Sequence, residues 1–123
     1  MSQTLFDRQV PLSLKSSLAV LLLVIYTLTS LSLPDSAWAA QQAEADVLVA
    51  RAVLAYDDQR YDEALELCRR ALNLDPNNAR ALYYSGLTYL ALKLPEQAIV
   101  PLEKADKLRP QDANVRFQLG VAY

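Results

Sequence analysis

The stretch from Ala64 to Pro76 returns as Ala98 to Pro110, and the offset between the two copies is 34 residues throughout. Ala64 matches Ala98, Ala71 matches Ala105, Leu74 matches Leu108 and Pro76 matches Pro110. The next half-unit recurs too, with Ala79, Leu82, Gly86 and Tyr89 facing Ala113, Arg116, Gly120 and Tyr123. A fixed period of this length constrains the fold more than any other feature. One such unit cannot bury its apolar face alone, so units must stack on their neighbours.

Apolar spacing predicts two helices in each unit. In the first, Val47, Leu48, Ala50, Leu54 and Ala55 give a broad apolar face at helical spacing. Asp57-Asp58-Gln59-Arg60 forms a polar turn. A second helix runs from about Tyr61 to Leu74, with Ala64, Leu65, Cys68, Ala71 and Leu72 on one face. Asp75-Pro76-Asn77-Asn78 ends it, because proline disfavours helix in the residue before it and has no N–H to continue the ladder. Pro95 suits a first helical turn. Pro101 falls deeper in that helix and is expected to bend it, at a cost of about 3 kcal/mol if nothing compensates. Ala64, Ala71, Ala98, Ala105, Gly86 and Gly120 are expected where paired helices approach closely. Leu48, Leu82, Tyr89 and Leu102 then fill the wider gaps, each contributing about 1.5–3 kcal/mol.

Residues 1–39 have a different character. Arg8 and Lys15 precede an uncharged stretch from Ser16 to Pro34, whose apolar centre runs from Leu18 to Ile25. Pro34 is expected to break the helix, and Ala37-Trp38-Ala39 follows with small residues two apart. A basic start, an apolar middle and a small-x-small exit define a secretory signal peptide, with cleavage expected between Ala39 and Ala40. The competing reading is an uncleaved membrane anchor, which needs about 20 apolar residues. Thr27, Thr29, Ser30 and Ser32 dilute the stretch, and the Ala-Trp-Ala exit favours cleavage. On this reading residues 40–45 are a short leader and residues 46–123 the repeat region, in units of about 45–78, 79–112 and a partial 113–123. The chain is expected outside the cytoplasm, in the periplasm or cell envelope, and meets membrane only through an uncleaved signal.

Composition excludes several classes of function. The net charge is −2, so no electrostatic footprint for nucleic acid is present. Histidine is absent, which removes the commonest general base and metal ligand. The single cysteine, Cys68, makes neither an internal disulfide nor a zinc site, and its inward position marks it as a small buried hydrophobe. Asp57, Asp58, Asp62, Glu63 and Glu66 cluster, but a turn and a helix N-terminus favour acids for ordinary reasons. No metal, no cofactor and no catalytic constellation is therefore expected within these residues.

The pattern resembles the tetratricopeptide repeat family. Its signature is met by Leu82, Ser85-Gly86, Tyr89, Ala98, Leu102, Ala105 and Pro110. The first unit departs, with Arg51-Ala52 and Ala55 at signature positions, yet Ala64, Cys68, Ala71 and Pro76 hold the frame. In the third, Leu119-Gly120 and Tyr123 match while Arg116 replaces a bulky residue. The resemblance implies an all-α fold, a right-handed superhelical stack of antiparallel helix pairs, with two full repeats and part of a third behind a signal-peptide helix. It also implies a concave groove for a protein or peptide, lined by fixed positions of each first helix. These are Val49, Val53, Tyr56 and Asp57 in the first unit, Arg80, Tyr83, Leu87 and Leu90 in the second, and Asn114, Phe117 and Val121 in the third. Such a groove is apolar and aromatic, suited to an extended peptide or an amphipathic helix. Val49 and Val53 stand where a carboxylate-holding clamp of Lys and Asn would begin in chaperone-binding relatives.

Val115, Leu119 and Ala122 face towards a partner helix that the sequence up to Tyr123 does not supply, and repeat arrays usually end in a polar cap. Two expectations remain open: the N-terminal piece of a longer chain, carrying a downstream enzyme or outer-membrane domain, or a small scaffold that borrows its cap from a partner.

Overall fold

The computed structural model describes residues 12–123, with backbone only for residues 12–15 and 29–35. Among the described residues every regular element is an α-helix: α1 (Leu12–Asp57), α2 (Tyr61–Leu74), α3 (Ala79–Ala91), α4 (Pro95–Leu108) and α5 (Ala113–Ala122). The chain divides into two compact units, Met1–Trp38 and Ala39–Tyr123.

In the first unit, Leu18 and the residues from Val20 to Ile25 are all exposed. Thr27 Oγ1 donates to the Val24 carbonyl at 2.9 Å, which lets a hydroxyl sit on an apolar helix. Among the described residues no helix is long and apolar enough to cross a membrane. Arg8 lies outside the described residues, as do the side chains of Lys15, Thr29, Ser30 and Ser32. One expectation needs correction here. Pro34 does not end the helix, since α1 continues through it. A proline costs a helix one hydrogen bond and a steric clash, and the turns on either side keep their own bonds.

The second unit is the repeat stack. α3 packs on α2 and on α4, and α5 packs on α4. Ala45, Leu48, Val49, Ala52 and Ala55 of α1 join Ala64, Leu67, Cys68 and Ala71 of α2 and Ala81 of α3 in one buried cluster. The expected face of the first helix is thus rotated, because Val47, Ala50 and Leu54 point outward. Alanines at the crowded positions let the helices approach, and the bulkier Val47 and Leu54 are left on the opposite side.

The small residues behave differently at equivalent positions. Ala64, Ala71, Ala98 and Ala105 are all buried. A Cβ on Gly86 would overlap Leu102 Cγ and come within 2.6 Å of its Cδ2, so α3 and α4 require a glycine there. Gly120 departs from expectation, for nothing lies within 4 Å of a Cβ built on it. Among the described residues no antiparallel helix follows α5 to face it as α4 faces α3. Pro101, expected to bend its helix, lies inside α4, which is continuous from Pro95 to Leu108.

Both turns between paired helices end in the same capping motif. After α1, Arg60 N–H donates to the Ala55 carbonyl at 2.8 Å and Gln59 N–H to that of Tyr56 at 2.9 Å. After α3, Leu94 N–H donates to Tyr89 at 2.9 Å and Lys93 N–H to Leu90 at 3.0 Å. This is the Schellman arrangement, which needs a left-handed residue. Gln59 and Lys93 supply it with φ of 60° each, a conformation that side chains other than glycine's disfavour. Gln59→Gly and Lys93→Gly are each expected to stabilise the stack by about 0.5–1 kcal/mol. Thermal denaturation by circular dichroism checks this, as a rise of a few degrees in Tm per substitution.

The following helices start with matched N-caps. Asn78 Oδ1 accepts from Ala81 N–H at 3.0 Å, and Asp112 Oδ1 accepts from Asn114 N–H at 3.0 Å. Asn78 Nδ2 also donates to Asp46 Oδ1 at 3.1 Å, tying the start of α3 to α1.

Candidate protein-binding face

The first helix of each unit lies in the C-terminal part of α1, in α3 and in α5. An offset of 34 residues aligns Val49 with Tyr83 and Phe117, and Val53 with Leu87 and Val121. Exposure along these rows rises towards the third unit. Val49 is fully buried in the cluster that Tyr56 and Tyr84 pack against, so it lines no groove and the assignment of that residue is corrected. Its branched side chain is shorter than the aromatics that follow it in the row. Val53, Tyr56, Tyr83, Leu87 and Leu90 are half-buried, while Asp57, Arg80 and Asn114 are exposed. Phe117 is 68% exposed and Val121 56% exposed.

Four tyrosine rings link α1, α2 and α3. Centroids lie 5.7 Å apart between Tyr61 and Tyr56, 5.9 Å between Tyr56 and Tyr84, and 5.5 Å between Tyr84 and Tyr83. The last two pairs meet edge to face, the arrangement that the ring quadrupole favours. Burial raises the phenol pKa of Tyr56 and of Tyr83, with neighbouring tyrosines and acids adding to it. Both rings therefore stay neutral at physiological pH and present an apolar body with a hydrogen-bonding tip. Only Tyr56 and Tyr83 were legible as candidate contacts; the adjacent Tyr84 holds the pair together from the side facing the first unit.

Within the acidic cluster, Asp58, Glu63 and Glu66 are paired with arginines. Arg60 bonds Asp58 at 3.1 Å and Glu63 at 2.5 Å, and Arg69 bonds both carboxylate oxygens of Glu66, at 2.6 and 2.9 Å. The Arg69 hydrogen bonds hold the Glu66 carboxyl below its usual range. Cys68 is fully buried, and burial pushes its thiol up to about 11 against a hydrogen bond from Ser85 that pulls the other way. A thiol so placed is inert.

Sequence reasoning missed one concavity. Leu65, Leu72, Tyr89, Val100 and Pro101 line a cleft of about 480 Å³ between α2 and α4, with Ser85 and Tyr89 supplied by α3. It includes none of the expected groove residues. Val100 beside the interior Pro101 on a second helix was the available signal. A more polar cleft of about 550 Å³ gathers Arg80 with Asp46, Asp75 and Arg109.

The profile of the tetratricopeptide repeat matches residues 55–119, just over half of the chain. The chain belongs to the tetratricopeptide repeat family. A human protein, the peptidyl-prolyl cis-trans isomerase FKBP4, is 35% identical over 63 residues, covering 51% of this chain and 14% of that protein. The chain thus spans a small part of that relative's length. Among solved structures, a point mutant of MamA superposes with a TM-score of 0.60 at 19% identity, covering 76% of this chain and 74% of that one. That likeness concerns the fold: an all-α stack of tetratricopeptide helix pairs. The departures in the first tetratricopeptide unit now have a physical reason. Where the second unit pairs Gly86 with Leu102, the first pairs Ala52 with Cys68, a larger residue on one helix matched by a smaller one on the other. In the third unit Arg116 replaces a core residue by reaching out to Asp106 Oδ1 at 3.2 Å and to the Pro110 carbonyl, bracing the end of α4.

Proposed function

We propose that this chain is an exported tetratricopeptide scaffold that holds a protein or peptide against the first-helix face running from Tyr56 and Tyr83 to Phe117 and Val121. Family membership supports protein contact as the mode. The observation that carries the site is the row of large apolar side chains, half-buried at Tyr83 and Leu87 and open at Phe117 and Val121. Aromatic residues that present area without losing much side-chain freedom are favoured interface anchors. Catalysis is not assigned to it: the thiol is buried, and Asp58, Glu63 and Glu66 are paired with arginines.

Export rests on the exposed apolar run from Leu18 to Ile25 and the exposed Ala37-Trp38-Ala39 exit. Cleavage before Ala40 leaves the repeat stack in the periplasm or cell envelope. A second reading is motivated by the human relative, of which the matched part is 14%: the stack serves as one arm of a larger polypeptide.

Tyr83→Ala combined with Phe117→Ala is expected to abolish partner recovery in affinity capture while leaving the helical circular dichroism intact. An unchanged partner set would remove the face from consideration. N-terminal sequencing of the exported chain is expected to begin at Ala40, and a retained Met1 in the membrane fraction would mean an anchor instead.

A further inference from the structure

Pro101 leaves a hydrogen-bond acceptor over on α4. The helix runs from Pro95 to Leu108 across Pro101, whose ring nitrogen has no hydrogen to donate. The carbonyl of Gln97, four residues earlier, therefore has no helical donor. Gln97 and Pro101 both line the cleft between α2 and α4, so this acceptor stands at its wall. A backbone carbonyl in that position takes its hydrogen bond from water or from a bound group.

The α2 side of the cleft carries the charge. Arg69 gives one hydrogen bond to each carboxylate oxygen of Glu66, so this pair adds no net charge. Asp62, one turn before Glu66, has no ion pair or side-chain hydrogen bond among the described residues. Among those residues no other carboxylate or cationic side chain lines the cleft, which leaves it one uncompensated negative charge. Leu65, Leu72, Tyr89 and Val100 make much of the remainder apolar. The volume of about 480 Å³ is that of pockets which take small organic ligands.

We propose that this cleft binds a small organic ammonium ion, a protonated primary or secondary amine carried on an apolar body. Its N–H donates to the Gln97 carbonyl, Asp62 supplies the opposite charge, and the body covers Leu65, Leu72 and Val100. A carbonyl accepts and does not donate, so neither an anion nor a quaternary ammonium finds its hydrogen bond there. The site shares no residue with the first-helix face and stands whether or not that face binds a protein.

Titration of the isotope-labelled full chain with phenethylammonium chloride, followed by amide NMR, tests this. Saturable shifts are expected at the amides of Leu65, Val100 and Leu102, with a Kd of about 1 mM or tighter. Phenethyl alcohol lacks the charge and phenethyltrimethylammonium lacks the N–H, and each is expected to bind about tenfold more weakly. Asp62→Asn is expected to weaken amine binding about three- to fivefold, the worth of an exposed ion pair. Pro101→Ala restores the helical hydrogen bond to Gln97 and is expected to weaken the amine about tenfold. The quaternary salt should lose less than about twofold in that variant, which separates the lost acceptor from the lost ring. Unchanged amide spectra away from the cleft show that both variants are folded. Shifts confined to the apolar run from Leu18 to Ile25, or no saturation by about 10 mM, overturn the proposal. So does equal binding of the three probes, or a Pro101→Ala chain that binds the amine as well as its parent does.

Discussion

Gly86→Ala is expected to destabilise the repeat stack by about 1–3 kcal/mol, although alanine is the better helix former. The new methyl group would overlap Leu102 Cγ, and that side chain is fully buried with nowhere to turn. Adding Leu102→Cys should return a large part of the loss, because the pair then copies Ala52 and Cys68 of the first unit. The double variant is expected to lose at least about 1 kcal/mol less than the sum of the single variants, as residues in contact couple by this order. Gly120→Ala carries the opposite sign. It meets nothing, and the gain in helix propensity should stabilise by up to about 1 kcal/mol. Urea denaturation of the four variants decides the matter through their midpoints. A Gly86→Ala protein as stable as the parent would mean that α3 and α4 are further apart than described.

Leu102→Ala should cost about 2–5 kcal/mol, the range for emptying a fully buried leucine site. Leu102 sits in a buried cluster with Ala98 and Ala122, against which Tyr83, Tyr89, Leu90, Ile99 and Leu119 pack. One side chain therefore joins α3, α4 and α5. Loss of its contacts is expected to release α5 first, seen as faster amide hydrogen exchange from Val115 to Ala122 before the α1–α2 pair is affected. Val100→Ala on the same helix removes a side chain that is 71% exposed and should fall within about 0.5 kcal/mol of the parent.

Much of this architecture was legible because a repeat is checked twice within one chain. The equivalence of Ala64 with Ala98 and of Ala71 with Ala105 placed the helix crossings correctly, since a small residue kept at both positions points to steric need. The rotated face of α1 was not legible. Val47, Ala50 and Leu54 have the spacing of a core stripe and so do Ala45, Leu48, Ala52 and Ala55, and hydrophobicity alone cannot choose between two stripes on one helix. Packing chose the small one, because alanine lets α2 approach. Val49 was misplaced for a related reason: its register is that of Tyr83 and Phe117, but exposure depends on what the neighbouring unit covers, and Tyr84 belongs to that neighbour. Gly120 shows the same limit from the other side, as register gives the role of a position and only a partner helix fulfils it. Pro34 marks where a local rule failed, because an interior proline weakens a helix without having to end it.

The binding face is tested most directly by site-specific photo-crosslinking in cells. A benzophenone side chain placed at Leu87, half-exposed in the middle of the proposed face, is compared with one at Val100 in the cleft between α2 and α4. Discrete crosslinked protein partners are expected from Leu87 and not from Val100, with any crosslink to a second copy recognised by its mass. Partners captured equally from both positions, or from Val100 alone, would contradict a first-helix binding face.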